Sequence, residues 1–251
     1  GIYNTDNSDV TIRNCHIKNI NFAIHNTSSC SNHLYENNDI ENFSGDGLRG
    51  HGTNTVIRYN TVKNAYNTNG NHDDLVQAFQ GNQVGLVLRG NKFLAWTDPD
   101  QPFKSSCQGI GFFDGIYHDF IIENNVVATT HWHGITLLGA ENCTIMNNTV
   151  IDIDNTDGSI PWIKIDNHKD GTPSSGCIVR NNISPSFRNG AGVQSDHNLK
   201  VAAVFYDKHF ADIENLDLQL LETSAAINAG SSEGAPSIDI EKTPRPQGEG
   251  Y

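Results

Sequence analysis

CTIMNNTVIDI (143–153) and CIVRNNISPSF (177–187) share one plan: a few strand-forming residues, an Asn-Asn pair, then a second short strand. The plan, with an Asn or Gly corner that is most often Asn-Asn, recurs in VTIRNCHIKNI (10–20), HLYENNDIENF (33–43), TVIRYNTVKNA (55–65), LVLRGNKFLAW (86–96) and FIIENNVVATT (120–130). Before most copies lies a further strand: FAIHNTS, DGLRGHG, DLVQAFQ, QGIGFFD, HGITLLG and WIKIDNH. The period is roughly 21 to 36 residues, or three short strands per turn with loops of unequal length. One such unit cannot bury its own apolar face, but stacked copies make a continuous core and bring identical corners into line. Asn suits those corners because it tolerates left-handed backbone and can hydrogen-bond to the Asn of the next turn. The expected fold is all-β, a single-stranded right-handed parallel β-helix of about seven turns over residues 1–187. Residues 188–251 are expected to form a C-terminal cap and irregular tail, packed over the last turn, with Asp217–Thr223 as a helical turn.

The 251 residues are 36% hydrophobic with a formal charge of −13, which disfavours long-range attraction to nucleic acid or an anionic membrane. No apolar run approaches the roughly 18 residues of a membrane-spanning helix. The chain opens on Gly1 in mid-pattern, so it reads as a processed or trimmed piece. Five cysteines (Cys15, Cys30, Cys107, Cys143 and Cys177) show no zinc-like spacing, and three share the repeat context NCHI, NCTI and GCIV. They read as small buried hydrophobes.

Laying the first strand of each turn in register makes Ile24, Leu48, Val76, Ile110, Ile135 and Ile163 an inward column. The residues two places earlier are Phe22, Asp46, Asp74, Gln108, His133 and Pro161. One place later come His25, Arg49, Gln77, Gly111, Thr136 and Lys164, and three places later Thr27, His51, Phe79, Phe113, Leu138 and Asp166. Stacked residues lie about 4.8 Å apart, so acids and bases gather on one flank. Asp74 is expected to face this groove, with Asp73 and His72 at its rim. Asp46 and Asp74, one turn apart, perturb each other's ionisation, which is the condition expected of a catalytic acid or base. The candidate catalytic residues are Asp74, His133, Asp46, His72 and Lys164. The candidate substrate-binding residues are Arg49, Gln77, Asp73, Gln108, His51, Trp132 and Trp162, the indoles offering faces on which sugars stack. Asp46, Asp73, Asp74 and Asp114 are oxygen donors of the kind calcium takes. No other cofactor is expected.

The stacked Asn corners resemble the pectate-lyase-like superfamily of parallel β-helices. This resemblance implies a secreted or extracellular protein acting on a polysaccharide, with a phage virion as another setting. Within it, Asp46, Asp73–Asp74, His133–Gly134 and Lys164 are similar to the Asp, Asp-Asp, His-Gly and Arg-x-Lys elements of polygalacturonases, but a turn carrying Gln108 intervenes and Trp162 replaces the Arg. The Asp-Pro-His signature of mannuronan epimerases is missing. The strand around HDDLVQ looks like a group of secreted bacterial β-helix proteins with an HxDxxQ strand. Three functions follow: a lyase acting on a uronate-containing polysaccharide, a glycoside hydrolase using Asp46, Asp73 and Asp74, and a non-enzymatic tail-spike or adhesin module. The first two suit a monomer. The third suits a trimer docked through the stripe Phe79, Phe113 and Leu138.

Overall fold

The computed structural model describes residues 1–251 except 69, 79, 80, 105, 155, 157 and 249. Three parallel sheets of eight strands each wind along one axis, one turn more than the repeat copies suggest. The first sheet runs from Ile2–Asn4 through Asp46–Arg49, Asp74–Ala78, Gln108–Phe112, His133–Leu138 and Trp162–Asp166 to Ser186–Phe187. The second ends with Val193–Asp196 and the third with Leu199–Lys200. The solenoid therefore continues past residue 187, because the final turn repeats the same corner with His197 and Asn198.

The inward column is as the register predicts: Leu48 pairs with Ile24 and Val76, Ile110 with Val76 and Ile135, and Ile135 with Ile163. All six residues are at most 1% exposed. Tyr35, Ile57, Leu88, Ile122, Ile145 and Val179 form the matching column of the second sheet. Each fully buried aliphatic side chain contributes about 1.5–3 kcal/mol.

The corner between the second and third sheets sets the stacking. Its first residue takes left-handed backbone in every turn: Asn14, Asn37, Tyr59, Gly90, Asn124, Asn147, Asn181 and His197, with φ between 50° and 65°. Its second residue forms a ladder. The side-chain oxygen of Asn60 accepts from the backbone N–H and the amide of Asn38, and the pattern continues through Asn91, Asn125, Asn148, Asn182 and Asn198 at 2.9–3.0 Å. At the N-terminal end, Cys15 donates its backbone N–H to Asn38.

The C-terminal segment lies on the flank of the solenoid, where a cap over the last turn was expected. Tyr206 and Phe210 pack on Leu94, Ala128, Ile151 and Ile183, side chains of third-sheet strands, because that face is apolar outside as well as inside. Asp217–Leu220 is a strand antiparallel to Phe210–Asp212, and the helical turn is the 3-10 segment Ala203–Lys208. The tail then returns along the asparagine corners: Asn181 and Asn124 donate to the carbonyls of Ser231 and Ile238, both at 2.8 Å. Among the described residues, no helix is long and apolar enough to cross a membrane.

Cutting the ladder tests its role. Asn125→Ala strands the buried N–H and amide of Asn91, at about 1–3 kcal/mol per unsatisfied group. Urea unfolding should show a loss of about 2–5 kcal/mol for this variant, and a smaller loss for Asn198→Ala in the last, half-buried rung.

Candidate active site

The outer face of the first sheet gathers most of the expected residues. Between each outward site residue and the inward column sits Gly47, Leu75, Gly109 or Gly134, and this intervening position also points inward. A Cβ on Gly47 would lie 2.4 Å from Val62 Cγ1, and one on Gly134 2.6 Å from Val150 Cγ1. With two successive positions turned inward, Asp46 and Asp74, paired across adjacent strands, are carried toward the outer face. Asp74 Oδ1 lies 3.4 Å from the outward Cβ position of Gly111, a spot that the Phe113 ring fills at 2.6 Å. A side chain at Gly111 would displace that ring.

His72 stands at the rim with its side chain 59% exposed, and its Nδ1 lies 3.0 Å from Asp74 Oδ2. The side-chain amide of Gln108 meets His72 Nε2. The Asp46 carboxylate lies 3.3 Å from Arg49 Nε, and the Arg49 guanidinium lies over Phe22 at 4.6 Å. Gln77 pairs with Arg49 in the outward column. His131 links the rim to the next turns, with ring centroids 6.3 Å from His72 and 5.1 Å from His133. His133 touches Phe113 (4.8 Å) and shares Thr136 Oγ1 with the Trp162 indole N–H, at 3.0 and 2.9 Å. Trp132 stacks on Trp162, and Lys164 pairs with Asp166 at 3.0 Å.

Several placements differ from the sequence reading. His51 is not on the groove: it is 1% exposed and packs edge-on against Phe112 in the interior. Left-handed Gly50 and Gly52 break the strand alternation around it. Asp73 is 1% exposed, so it does not line the rim. Asp74 lies on the outer side but is sealed beneath His72 and Phe113. Gln108 is buried behind His72. Trp162, not Pro161, pairs with His133, because the register shifts between His133 and Ile135. Phe79 falls outside the described residues. Phe113 and Leu138 are half-buried, and Phe113 packs between His133 and Lys169.

Two groove residues escaped the sequence reading. His131 is not among the candidate residues, although its ring lies between those of His72 and His133. Arg188 follows Phe187, which pairs with Ile163, and donates its N–H to the Ile163 carbonyl, so it extends the outward column beside Lys164. The signal was SFR at 186–188 repeating the WIK of 162–164, hidden by ending the repeat at 187. As their side chains stand, Asp46, Asp73 and Asp74 do not converge as a calcium donor set. Among the described residues one group of three does bring ligand atoms within 4.8 Å of one another, His16, Asp39 and Glu41 of the third sheet, but one of the three is an imidazole and Lys63 pairs with both carboxylates, so it is no calcium set.

The rungs, the asparagine corners and a match of residues 1–183 to the model of the right-handed β-helix region place the chain in that family, to which it belongs. No curated protein sequence matches it. Among solved structures it is similar to the pectate lyase Pel9A, with a TM-score of 0.50 and 14% identity over 89% of this chain and 66% of that one. The A-module of the mannuronan C-5 epimerase AlgE4 from Azotobacter vinelandii gives a TM-score of 0.32 and 15% identity over 78% and 62%. The chain thus spans a little under two thirds of each. At these identities the likeness concerns the fold.

Charge is tightly managed in this groove. Burial, then the neighbouring Asp74 charge, raises the Asp46 carboxyl to about 7 against the pull of Arg49. Burial likewise raises Asp74, opposed by His72. The hydrogen bond to Asp74 raises His72, whereas burial, with His131, Lys164 and His72 nearby, lowers His133 to about 4. Since the folded state holds the Asp46 proton more tightly than the unfolded chain, its stabilising contribution is full below 3.8 and is lost as pH rises to about 7. The cost above that is of order 4 kcal/mol at about 1.36 kcal/mol per unit. Urea unfolding of Asp46→Asn against the parent should therefore show a difference that moves in favour of the variant between about pH 4 and pH 8. A pH-independent difference would mean that Asp46 ionises without penalty.

Proposed function

We propose that the protein is a polysaccharide lyase acting outside the cell, cleaving a uronate-containing polymer by β-elimination with His72 as the base. The observation that carries this reading is the pairing of an accessible imidazole with a fully buried carboxylate, His72 Nδ1 to Asp74 Oδ2, on a solenoid flank. With the Nδ1 proton directed at Asp74 and a Gln108 amide N–H donated to Nε2, the neutral tautomer keeps its lone pair on Nε2, the atom that the Gln108 amide meets. Asp74 raises the basicity of that nitrogen toward the range where a general base works near neutrality. It is a positioning residue, since no substrate atom can reach it.

In the reaction, the 59% exposed His72 ring turns away from the Gln108 amide and its Nε2 takes the proton at C5, next to the uronate carboxylate. The electron pair left at C5 forms the C4–C5 double bond as the C4–O bond breaks, and the departing oxygen recovers a proton from the imidazolium. Arg49 and Gln77, beside each other in the outward column, are the binders proposed for the substrate carboxylate, which stabilise the charge developing at C5. His133, held near 4 by burial and its cationic neighbours, is neutral at physiological pH and a poor base. It fits better as a wall of the groove, with Trp132 and Trp162.

The burial of Asp46 and Asp74 weighs against the hydrolase reading, because a general acid must touch the glycosidic oxygen. No step runs through calcium.

A panel of uronate-containing and neutral polysaccharides, followed by ultraviolet absorbance of unsaturated ends and by reducing sugar in parallel, separates the readings. Absorbance together with new ends is expected on a uronate polymer. New ends alone would establish hydrolysis and sink the proposal. His72→Ala should lose at least about 100-fold in kcat, in the range of general-base catalysis. Asp74→Asn should lose activity while shifting the rising limb of the pH–rate profile, which lies above pH 6.5 in the parent because Asp74 raises His72, to lower pH. Pre-treatment with EDTA should leave turnover unchanged.

A further inference from the structure

We infer that Trp132, Trp162 and Arg188 form a distal subsite for an acidic sugar residue at the C-terminal end of the groove. This rests on the reading of the groove as a uronate-polymer site and adds to it where a second negative charge is held and how long a substrate must be to reach it.

The Trp162 indole is fixed by its N–H to Thr136 Oγ1 at 2.9 Å. Trp132 lies nearly parallel to it, with an interplanar angle of 19° and centroids 6.3 Å apart, and is 45% exposed. A large ring left open to solvent beside a rigid one is a surface for the apolar face of a sugar. Arg188 supplies the charge. Its guanidinium lies 4.5 Å from the Trp162 centroid, and no carboxylate among the described residues pairs with it. The neighbouring cations are already engaged, Lys164 by Asp166 at 3.0 Å and Lys169 by Asp114 at 2.6 Å. On a chain of net charge −13, a guanidinium stacked on an aromatic ring without an acidic partner is a specific place for a carboxylate, and its planar fork suits bidentate binding.

The position sets a length requirement. His72 precedes the fourth strand of the first sheet and Arg188 follows the eighth, a separation of about 19 Å at ~4.8 Å per rung. This is the span of a few sugar residues laid along the axis. A polymer held at both places is gripped well away from the broken bond, so short oligomers should bind weakly and long ones gain affinity in a step.

The test uses the full chain carrying His72→Ala, titrated with uronate oligomers of increasing length and with neutral oligomers as controls, read by tryptophan fluorescence and calorimetry. Affinity is expected to rise about tenfold or more once the oligomer is long enough to reach Arg188, equivalent to ~1.4 kcal/mol. Arg188→Gln should abolish that step while leaving short-oligomer affinity unchanged, and Arg188→Lys should restore part of it. Added salt should diminish it. Equal affinity at all lengths, equal binding of neutral oligomers, or an unaltered step in Arg188→Gln would each overturn the inference. If the step appears and depends on Arg188 while the parent protein cleaves no uronate polymer, the subsite stands and the lyase reading fails.

Discussion

The ladder of asparagine amides from Asn38 to Asn198 is the interaction on which the rest of the structure depends. A tight corner leaves backbone donors and acceptors with no strand partner, and burying them unpaired would be prohibitive. Each amide closes its own turn and the one below, so the corner is satisfied only when successive turns sit in a single register. Lateral slippage would break hydrogen bonds in every rung at once. Register then ceases to be a local choice of each strand and becomes a property of the whole stack.

Fixed register is what allows a chemically demanding flank. Asp46 stacks against Asp74, and burial holds both carboxyls above their ordinary range. Such an arrangement costs stability and persists because the scaffold beneath it cannot relax. His72 gains from that cost, since the buried Asp74 carboxylate hydrogen-bonds its Nδ1 at 3.0 Å and raises its basicity. Gly111 is the small residue that makes the seal: it lets Phe113 lie over Asp74. The apolar ring and the buried acid are thus parts of one device.

The C-terminal segment solves a different problem. Leu94, Ala128 and Ile151 leave an apolar strip on the outside of the third sheet, and Tyr206 and Phe210 cover it. The remaining tail engages Asn124 and Asn181 at the left-handed corner positions. Two flanks are thereby occupied by the protein's own chain, while the outer face of the first sheet keeps its histidines and indoles accessible.

The repeated Asn corners and the alternation of the strands determined the three-sheet solenoid, the inward column and the proximity of Asp46, Asp74, Gln108 and His133, because a parallel stack converts equal sequence position into equal spatial position. Arg188 was equally legible, had the repeat been followed one turn further. What only the tertiary structure decided was direction and cover. Paired inward residues at Gly47, Leu75, Gly109 and Gly134 set which way the acids turn, and left-handed Gly50 and Gly52 sent His51 into the core. The lid over Asp74 combines residues from separate turns, His72 and Phe113, whose meeting no local pattern encodes. Side-chain direction at a strand end depends on backbone deviations of a single residue, and burial depends on what lies above it. Both are long-range facts, and together they leave His72 exposed and the acids beneath it buried.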